Sequence, residues 1–284
     1  MADFMPQAAP APGAVFTAIG ETGEHFEAGE LARGPWDPDA QHGGAPAALL
    51  ARVFERLPGA GSGAPGPEGS GRSTDLMLAR ITYEFLRPAP LGALRVQAAV
   101  VRPGRRVQLL EGSILRADGA EVVRARAVRI RPADAPVATP VPSPPPPPDD
   151  GAPNDFARDE NVMFATDAME IRFVAGAFHR PGPATAWFRL RAQLVAGEEP
   201  SSLQRLAAAG DFGNGISALL SWDEHLFINP DLTLYVEREP IGDWIAMQAQ
   251  TSIASGGIGV SESVLYDQRG RVGRATQALL IAPR

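Results

Sequence analysis

The sequence predicts an α+β fold in which one helix packs on a curved antiparallel sheet, and it predicts this unit twice. Three features support the prediction: two similar halves, a proline-rich segment between them, and in each half an apolar helix-like run followed by alternating strands. A chain of 284 residues is long enough for two such units to bury their own cores.

The two halves align over their final strands. A Pro-Leu-Gly step at 90–92 matches Pro-Ile-Gly at 240–242, and three runs of period-two alternation follow each step. The last two runs of each half are joined at the turns "ADG" and "DQRG". Upstream, "QHGGAPAALL" (41–50) aligns with "DFGNGISALL" (211–220). We interpret this pattern as an internal duplication of a unit of about 120 residues.

The segment "PADAPVATPVPSPPPPPDDGAPN" separates the halves. It holds nine prolines between Pro132 and Pro148 and few apolar residues, which is typical of an extended linker. We therefore predict a disordered tail at 1–12, an N-terminal repeat at 13–131, a linker at 132–155 and a C-terminal repeat at 156–284. The stretch "GAGSGAPGPEGSGRSTD" predicts a flexible insertion after the first helix.

Glycines introduce the helix in each half. The first helix is amphipathic, and its apolar residues share one face: Leu49, Leu50, Val53, Phe54 and Leu57. Because Arg52, Glu55 and Arg56 fall elsewhere, we expect this helix to have one solvated side. In the second half, Asp211 precedes the helix-like run, and aspartate is a preferred N-cap residue. The simplest structural interpretation is that Asp211 caps that helix.

Composition excludes several classes of function. A net charge of -7 and the lack of lysine argue against nucleic-acid or membrane partners. Without cysteine, the chain has no disulfide, thiolate zinc site or cysteine nucleophile. Its start lacks signal-peptide features, so we expect a cytoplasmic protein. Its four histidines lack metal-ligand spacing, so we predict no metal and no other cofactor.

Two motifs within this duplicated pattern resemble a known family. The sequence "GPWDPDAQHGG" leads into the first helix, and "NPDLTLYVEREPIGDW" opens the final strands of the second half. Together with the repeat pattern, they resemble the double-hotdog acyl-CoA thioesterases, and more narrowly the thioesterase-like branch of the type II family. The resemblance runs from about Phe16 to Ile281. It implies two tandem hotdog repeats, an acyl-CoA partner, and hydrolysis of a fatty acyl-CoA to free acid and CoA.

The resemblance also implies three catalytic positions in the second repeat. Family members hold the attacking water with an aspartate at the helix start, a threonine at the head of the next strand and a glutamine in the last strand. Asp211 and Gln277 occupy the first and third positions, whereas Asn229 stands where the family has threonine. Because Gln41 aligns with Asp211, we predict a single active site, in the C-terminal repeat.

These residue types suit thioester hydrolysis. Asp211 can act as a general base toward water, and the Gln277 amide can both donate and accept hydrogen bonds to orient it. The predicted helix start offers backbone N–H groups for an oxyanion, at Gly213, Asn214 and Gly215. In the first repeat, the candidates for substrate contact are His42, Gly43 and Gly44. For His42, a hydrogen bond to the backbone at the helix start is the simpler alternative.

Other functions remain open at this stage. Because Asn229 replaces the threonine of the family, a non-catalytic acyl-CoA-binding hotdog protein is an alternative. A hydratase or dehydratase of the same fold is less favoured, because its histidine after Asn-Pro is replaced here by Asp231. The acyl chain and the CoA-binding arginines are not determined, although Arg105 and Arg106 are candidates. Homo-oligomerisation is also open, since one duplicated chain already pairs two units.

Overall fold

The structure is a computed structural model that describes residues 13–20, 23–58, 75–134, 139–154 and 160–284. The predicted tail at 1–12 and the predicted insertion up to residue 74 lie outside the described residues. Within the described residues, fifteen strands form one sheet. In chain order they are β1 (Ala14–Ile19), β2 (His25–Ala28), β3 (Met77–Phe85), β4 (Gly92–Arg102), β5 (Val107–Arg116), β6 (Glu121–Ile130), β7 (Ala152–Pro153), β8 (Met169–Ala177), β9 (Arg180–Leu190), β10 (Gln193–Val195), β11 (His225–Ile228), β12 (Asp231–Val236), β13 (Trp244–Ile253), β14 (Ile258–Asp267) and β15 (Gly270–Pro283).

The part of the chain that the structure describes also contains three α-helices: α1 (Gly44–Arg56), α2 (Ser202–Gly210) and α3 (Gly213–Ile216). Short 3-10 turns cover Glu30–Ala32 and Pro148–Asp150, and a π-helical turn covers Phe164–Ala168. Among the helices of the described residues, none is long and apolar enough to cross a membrane.

The sheet joins the two halves of the chain along one seam. Its strand order is β10-β1-β2-β4-β5-β6-β3-β12-β15-β14-β13-β9-β8-β7, and β11 pairs with β15 off this path. At the seam, β3 and β12 run antiparallel, with Thr82 opposite Thr233. The six strand runs predicted after the Pro-Leu-Gly and Pro-Ile-Gly steps are confirmed as β4 to β6 and β13 to β15. On either side of the seam, β6-β5-β4-β2-β1 mirrors β15-β14-β13-β9-β8 around β3 and β12.

The core lies between the sheet and the two longer helices. Helix α1 packs on β3 to β6, and α2 packs on β9, β12 and β13. The two helices also contact each other directly, so buried side chains of both halves form one large cluster. Their approach is close, because a Cβ added at Gly44 would lie 2.5 Å from the Ala208 carbonyl oxygen.

The charged side of α1 is buried, so the prediction of a solvated face is wrong for two of its three charged residues. Arg52 and Glu55 are 4% and 7% exposed, whereas Arg56 is exposed. Arg52 donates two hydrogen bonds to Glu198, at 2.6 and 2.5 Å. Glu55 accepts hydrogen bonds from the Ser201 hydroxyl and from Gln204 Nε2 at 2.8 Å. The residues around the start of α2 cover this side of α1, and charges buried there need such partners.

The second long helix ends at the position where the sequence predicted its start. Ser201 is the N-cap of α2 and accepts the Gln204 N–H at 3.1 Å. The helix stops at Gly210, Asp211 is its C-cap, and α3 adds only one further turn. The N-cap interpretation of Asp211 is therefore wrong, and so is its alignment with Gln41, which precedes its helix. Gly210, Gly213 and Gly215 interrupt the apolar run, because glycine disfavours helix interiors.

The described part of the proline-rich segment is held against the C-terminal half. Strand β7 pairs with β8, and the Trp187 indole N–H donates to the Pro146 carbonyl at 2.7 Å. The Arg271 N–H donates to the Pro142 carbonyl at 3.1 Å. Proline lacks an N–H but keeps its carbonyl, so this segment can attach to neighbouring strands through its acceptors.

Candidate active site

The three predicted catalytic residues meet at one carboxylate. Asp211 lies between α2 and α3, Asn229 directly follows β11, and Gln277 lies within β15. Asn229 Nδ2 donates to Asp211 Oδ1 at 2.8 Å, and Gln277 Nε2 donates to the same oxygen at 2.9 Å. The Asp211 side chain is only 6% exposed. Two amides therefore hold one oxygen of a buried carboxylate.

Strand alternation and pairing bring the two amides to Asp211. In β15, the alternation places Ala275, Gln277 and Leu279 on the buried face, and Gln277 is 2% exposed. Strand β11 pairs with the end of β15, so Asn229 leaves the sheet close to Gln277. Gln277 Oε1 accepts the Asn214 N–H at 3.2 Å. Because a backbone N–H can only donate, this bond fixes which end of the Gln277 amide faces Asp211.

The start of α1 completes the site from the other half of the chain. His42 Nδ1 lies 3.3 Å from Asp211 Oδ2 and accepts the Gly44 N–H at 3.0 Å. The imidazole packs against two phenyl rings, with centroid distances of 4.4 Å to Phe212 and 5.2 Å to Phe164, and these two rings lie 6.2 Å from each other. The simpler alternative for His42, a backbone hydrogen bond at the helix start, is thus present. The same nitrogen also faces Asp211.

Glycine at position 43 allows this close approach. A Cβ added there would lie 2.7 Å from Asp211 Oδ2 and 3.1 Å from the Phe85 ring. The N-terminus of a 13-residue helix therefore lies next to the carboxylate. The helix dipole favours negative charge at this point.

Burial shifts the pKa values of Asp211 and His42, which face each other. Loss of water raises the pKa of Asp211 from 3.8 to about 7, although hydrogen bonds from Asn229, Gln277 and the Gly44 N–H counteract this rise. Burial also lowers the pKa of His42 from 6.5 to about 4. Near neutral pH, the imidazole is therefore uncharged while Asp211 is close to its titration midpoint. A carboxylate with this pKa can both accept and return a proton.

The three residues predicted to supply oxyanion donors occupy different surroundings. Gly213 faces the inner surface of the sheet, where a Cβ would lie 2.8 Å from Ser263 Oγ. The Asn214 N–H already donates to Gln277. Gly215 alone faces open space, although both it and Asn214 border the neighbouring cavity. The three residues do begin helix α3, but this helix is a single turn, and their role as oxyanion donors stays a prediction.

Asp211, Asn229, His42 and Gly43 border a cavity of about 540 Å³. Much of its wall is aromatic: the Trp222 ring lies 5.0 Å from Trp36, 5.1 Å from Phe227 and 5.7 Å from Phe178, centroid to centroid. Its charged or titratable lining residues beyond the site are Arg33, His179, Asp223 and Arg284. Arg105 and Arg106, the arginines considered from sequence, do not line it.

Sequence reasoning did not identify these wall residues. The four aromatic side chains come from three segments that are distant in sequence, and no periodic pattern connects them. The tryptophans directly after "RGP" and "LLS" could have indicated this wall, because aromatic side chains in loops often form binding surfaces. Among the described residues, no group of three or more His, Asp or Glu side chains could hold a metal ion.

This arrangement can perform proton transfer beside a bound carbonyl group. A buried carboxylate with a raised pKa, amides that fix its orientation and a helix N-terminus all meet at the edge of one cavity. That combination is typical of acyl-transfer and hydrolytic sites.

The chain matches two family models over most of its length. Residues 32–130 match the acyl-CoA thioesterase N-terminal domain, and residues 140–281 match the acyl-CoA thioesterase C-terminal domain. No curated protein matches the chain.

Solved structures similar to this chain show the same fold. A conserved protein of unknown function with a hotdog fold from Alicyclobacillus acidocaldarius is 17% identical over 93% of this chain and 96% of its own, with a TM-score of 0.69. The TesB protein of Mycobacterium avium subsp. paratuberculosis is 13% identical over 94% and 96%, with a TM-score of 0.64. The acyl-CoA thioesterase II TesB2 of Mycobacterium marinum is 15% identical over 90% and 96%, with a TM-score of 0.60.

At these identities, the structural likeness establishes an α+β hotdog fold. The family models add the class of reaction, which is hydrolysis of a thioester. The chain belongs to the acyl-CoA thioesterase family.

Proposed function

We propose that this protein hydrolyses a fatty acyl-CoA to the free acid and CoA, with Asp211 activating the attacking water. The observation that carries the proposal is the buried Asp211 carboxylate, whose pKa is raised to about 7. Asn229 and Gln277 hold it at the edge of a cavity of about 540 Å³. This activity would place the protein in fatty acid metabolism.

We also propose that the fold is a double hotdog of two tandem repeats, at 13–131 and 156–284, connected by the segment 132–155. The mirrored strand order on the two sides of the β3–β12 seam supports this division. So does the placement of one longer helix on each half of the sheet, α1 on β3 to β6 and α2 on β9, β12 and β13.

In the first chemical step, Asp211 takes a proton from water. The water oxygen bonds to the thioester carbonyl carbon, and the carbonyl π electrons move to its oxygen. Gln277 and Asn229 keep the carboxylate in place through Oδ1, which leaves Oδ2 to accept the proton. Both amide hydrogens of Asn229 are occupied, by Asp211 and by the Asp231 carbonyl. Its Oδ1 can still accept a hydrogen bond from the water, which is the role we assign to it in place of threonine.

The start of α1 stabilises the oxyanion that this attack creates. Gly43 borders the cavity beside Asp211, and the helix it precedes has 13 residues. A backbone N–H at this end, aligned with the helix dipole, suits a developing negative charge. We therefore assign the oxyanion contact to Gly43 rather than to Gly213 or Asn214. The active site then draws on both repeats, although its acid-base residues lie in the second.

In the last step the tetrahedral intermediate collapses. The carbon–sulfur bond breaks, its electron pair leaves on the CoA sulfur, and Asp211 returns the proton to that sulfur. The products are the free acid and CoA, and Asp211 is ionised again. No cofactor or metal is required in this sequence.

The test is thiol release from a panel of acyl-CoAs of increasing chain length, comparing the parent protein with Asp211→Asn. The chain has no cysteine, so a thiol-reactive chromophore reports only released CoA. We expect release by the parent on some chain lengths and a loss of roughly 10²- to 10⁴-fold in the variant, the range for removal of a general base. Asp150→Asn, at an exposed position, is the matched control.

Equal rates in the parent and Asp211→Asn would exclude Asp211 as the base. Binding of acyl-CoA without any CoA release by the parent would instead identify a non-catalytic acyl-CoA-binding protein. Turnover of an enoyl-CoA without thiol release would identify a hydratase.

A further inference from the structure

His42 faces the catalytic carboxylate through a nitrogen that carries a lone pair. Its Nδ1 accepts the Gly44 N–H at 3.0 Å, so the single proton of the neutral imidazole belongs on Nε2. The same Nδ1 lies 3.3 Å from Asp211 Oδ2. Two acceptors at this distance attract each other only when a proton lies between them.

Asp211 has one oxygen available for that proton. Oδ1 already accepts N–H groups from Asn229 and Gln277. Oδ2 faces His42 and the start of α1. A proton on Oδ2 therefore preserves both amide hydrogen bonds and supplies the hydrogen that the contact with Nδ1 needs.

The position of the imidazole is fixed by packing. Phe212 and Phe164 stack on its ring, and its side chain is 12% exposed. Phe212 is adjacent to Asp211 in the chain, so the same segment that carries the carboxylate also holds the ring. Packing against the two phenyl rings and the hydrogen bond from the Gly44 N–H together hold His42 beside Asp211.

We propose that His42 is a positioning residue for the hydrolysis, whose neutral Nδ1 accepts the hydrogen of protonated Asp211 at Oδ2. This inference rests on the proposed function and deepens it. When water is deprotonated, its proton moves to Oδ2, and the O–H bond then donates to the one lone pair of Nδ1, while the Gly44 N–H donates to Asp211 instead. When the carbon–sulfur bond breaks, the proton moves from Oδ2 to the CoA sulfur. His42 stays uncharged in both steps.

The surrounding groups leave this pair as the main titrating unit. Asn229 and Gln277, which reach Asp211 from β11 and β15, are neutral amides. Arg33, His179, Asp223 and Arg284 line the same cavity, but no charge of these residues contributes to the pKa shift of His42 or Asp211. The lowered pKa of His42 agrees with a ring that remains neutral.

The first test compares pH–rate profiles of the parent and His42→Phe. Phenylalanine keeps a ring packed against Phe164 and Phe212 but removes the acceptor nitrogen. We expect the acid limb of kcat/KM to move at least about one pH unit lower, because protonated Asp211 loses its partner. We also expect the plateau rate to fall, since a weaker base removes the proton more slowly. His25→Phe, at an exposed position of β2, is the matched control.

The second test is NMR of the parent protein, which does not depend on turnover or on the folding of a variant. With labelled histidine and aspartate, His42 Nδ1 should have the shift of an unprotonated nitrogen at neutral pH. It should move together with the Asp211 carboxyl carbon in one titration, and Asp211→Asn should abolish that step.

Either of two results would overturn the proposal. One is a protonated Nδ1 at neutral pH. The other is an unchanged Asp211 midpoint in folded His42→Phe. Failure of the parent to release CoA would refute the proposed function, whereas the NMR titration would still decide whether His42 and Asp211 share the proton.

Discussion

Gln277 connects Asp211 to the turn that follows it. Its Nε2 donates to Asp211 Oδ1 at 2.9 Å and, more weakly, to the Asp211 carbonyl at 3.3 Å, while its Oε1 accepts the Asn214 N–H. One amide thus bonds to the Asp211 carboxylate and to the backbone on both sides of Phe212. A side chain of this kind orients the proposed base and also holds the segment that carries it.

Replacing this amide with a carboxyl group should impair the base. In Gln277→Glu, a second acidic group would face Asp211 Oδ1, and two carboxylates this close cannot both ionise easily. We expect thiol release at pH 7 to fall at least about 100-fold and the acid limb to move to higher pH. The pH dependence of kcat/KM measures both effects. Gln250→Glu on the exposed face of β13 is the control, and an unchanged profile in Gln277→Glu would contradict the assignment.

The activity of the parent protein should rise with pH through neutrality. Because the pKa of Asp211 is about 7, only a part of the enzyme holds the ionised base at pH 6, and nearly all of it does at pH 8.5. The measurement is kcat/KM for the best acyl-CoA from pH 5 to 9. A profile that is flat across this range, or that titrates near pH 4, would show that burial does not control the base.

Asp211→Asn should stabilise the folded protein at high pH. Burial raises the pKa of Asp211 from 3.8 to about 7, so the folded state binds more protons than the unfolded state between these values. The stability of the parent therefore falls as pH rises through this interval. Asparagine does not titrate, and its amide can donate to His42 Nδ1 as the protonated acid does.

We expect the variant to gain up to roughly 3 to 4 kcal/mol over the parent at pH 8 and little below pH 4. Denaturant unfolding at the two pH values measures the difference. A variant less stable than the parent at pH 8 would show that the ionised carboxylate contributes favourably to folding.

The two glycines at the start of α1 should respond differently to alanine. At Gly43 the new methyl group would lie 2.7 Å from Asp211 Oδ2, so activity should fall by up to about 100-fold while the fold persists. At Gly44 it would lie 2.5 Å from the Ala208 backbone oxygen, so the protein should lose about 1 to 3 kcal/mol as α1 and α2 separate.

Thiol release and denaturant unfolding distinguish the two glycine variants. Gly256→Ala, where a Cβ meets open space, is the common control. Full activity in Gly43→Ala would contradict the proposal that the start of α1 contacts the oxyanion.

Part of the candidate site could be predicted because Asp211 and Gln277 match two positions of the family pattern. Asn229 stands at the third position, where the family has threonine, and the three side chains meet in the structure. The position of Asp211 relative to its helix was predicted wrongly. Matching "ALL" at 48–50 and 218–220 suggested equivalent helices, but Ser201 caps a helix that begins nine residues before Asp211. The prediction followed the local similarity of the two "ALL" stretches and overlooked Ser201 as the N-cap.

The sequence by itself determined the elements whose signal is local. Period-two alternation between glycine-containing turns specified β4 to β6 and β13 to β15. In a strand, alternate residues lie on the buried face of the sheet, so the pattern is visible in the local sequence. Only the tertiary structure decided what lies opposite Asp211. His42 and Gly43 reach it because α1 packs against α2, and that packing also buries Arg52 and Glu55. Contacts between segments so far apart in the chain depend on how whole helices and strands pack. The periodicity within either segment therefore cannot predict them.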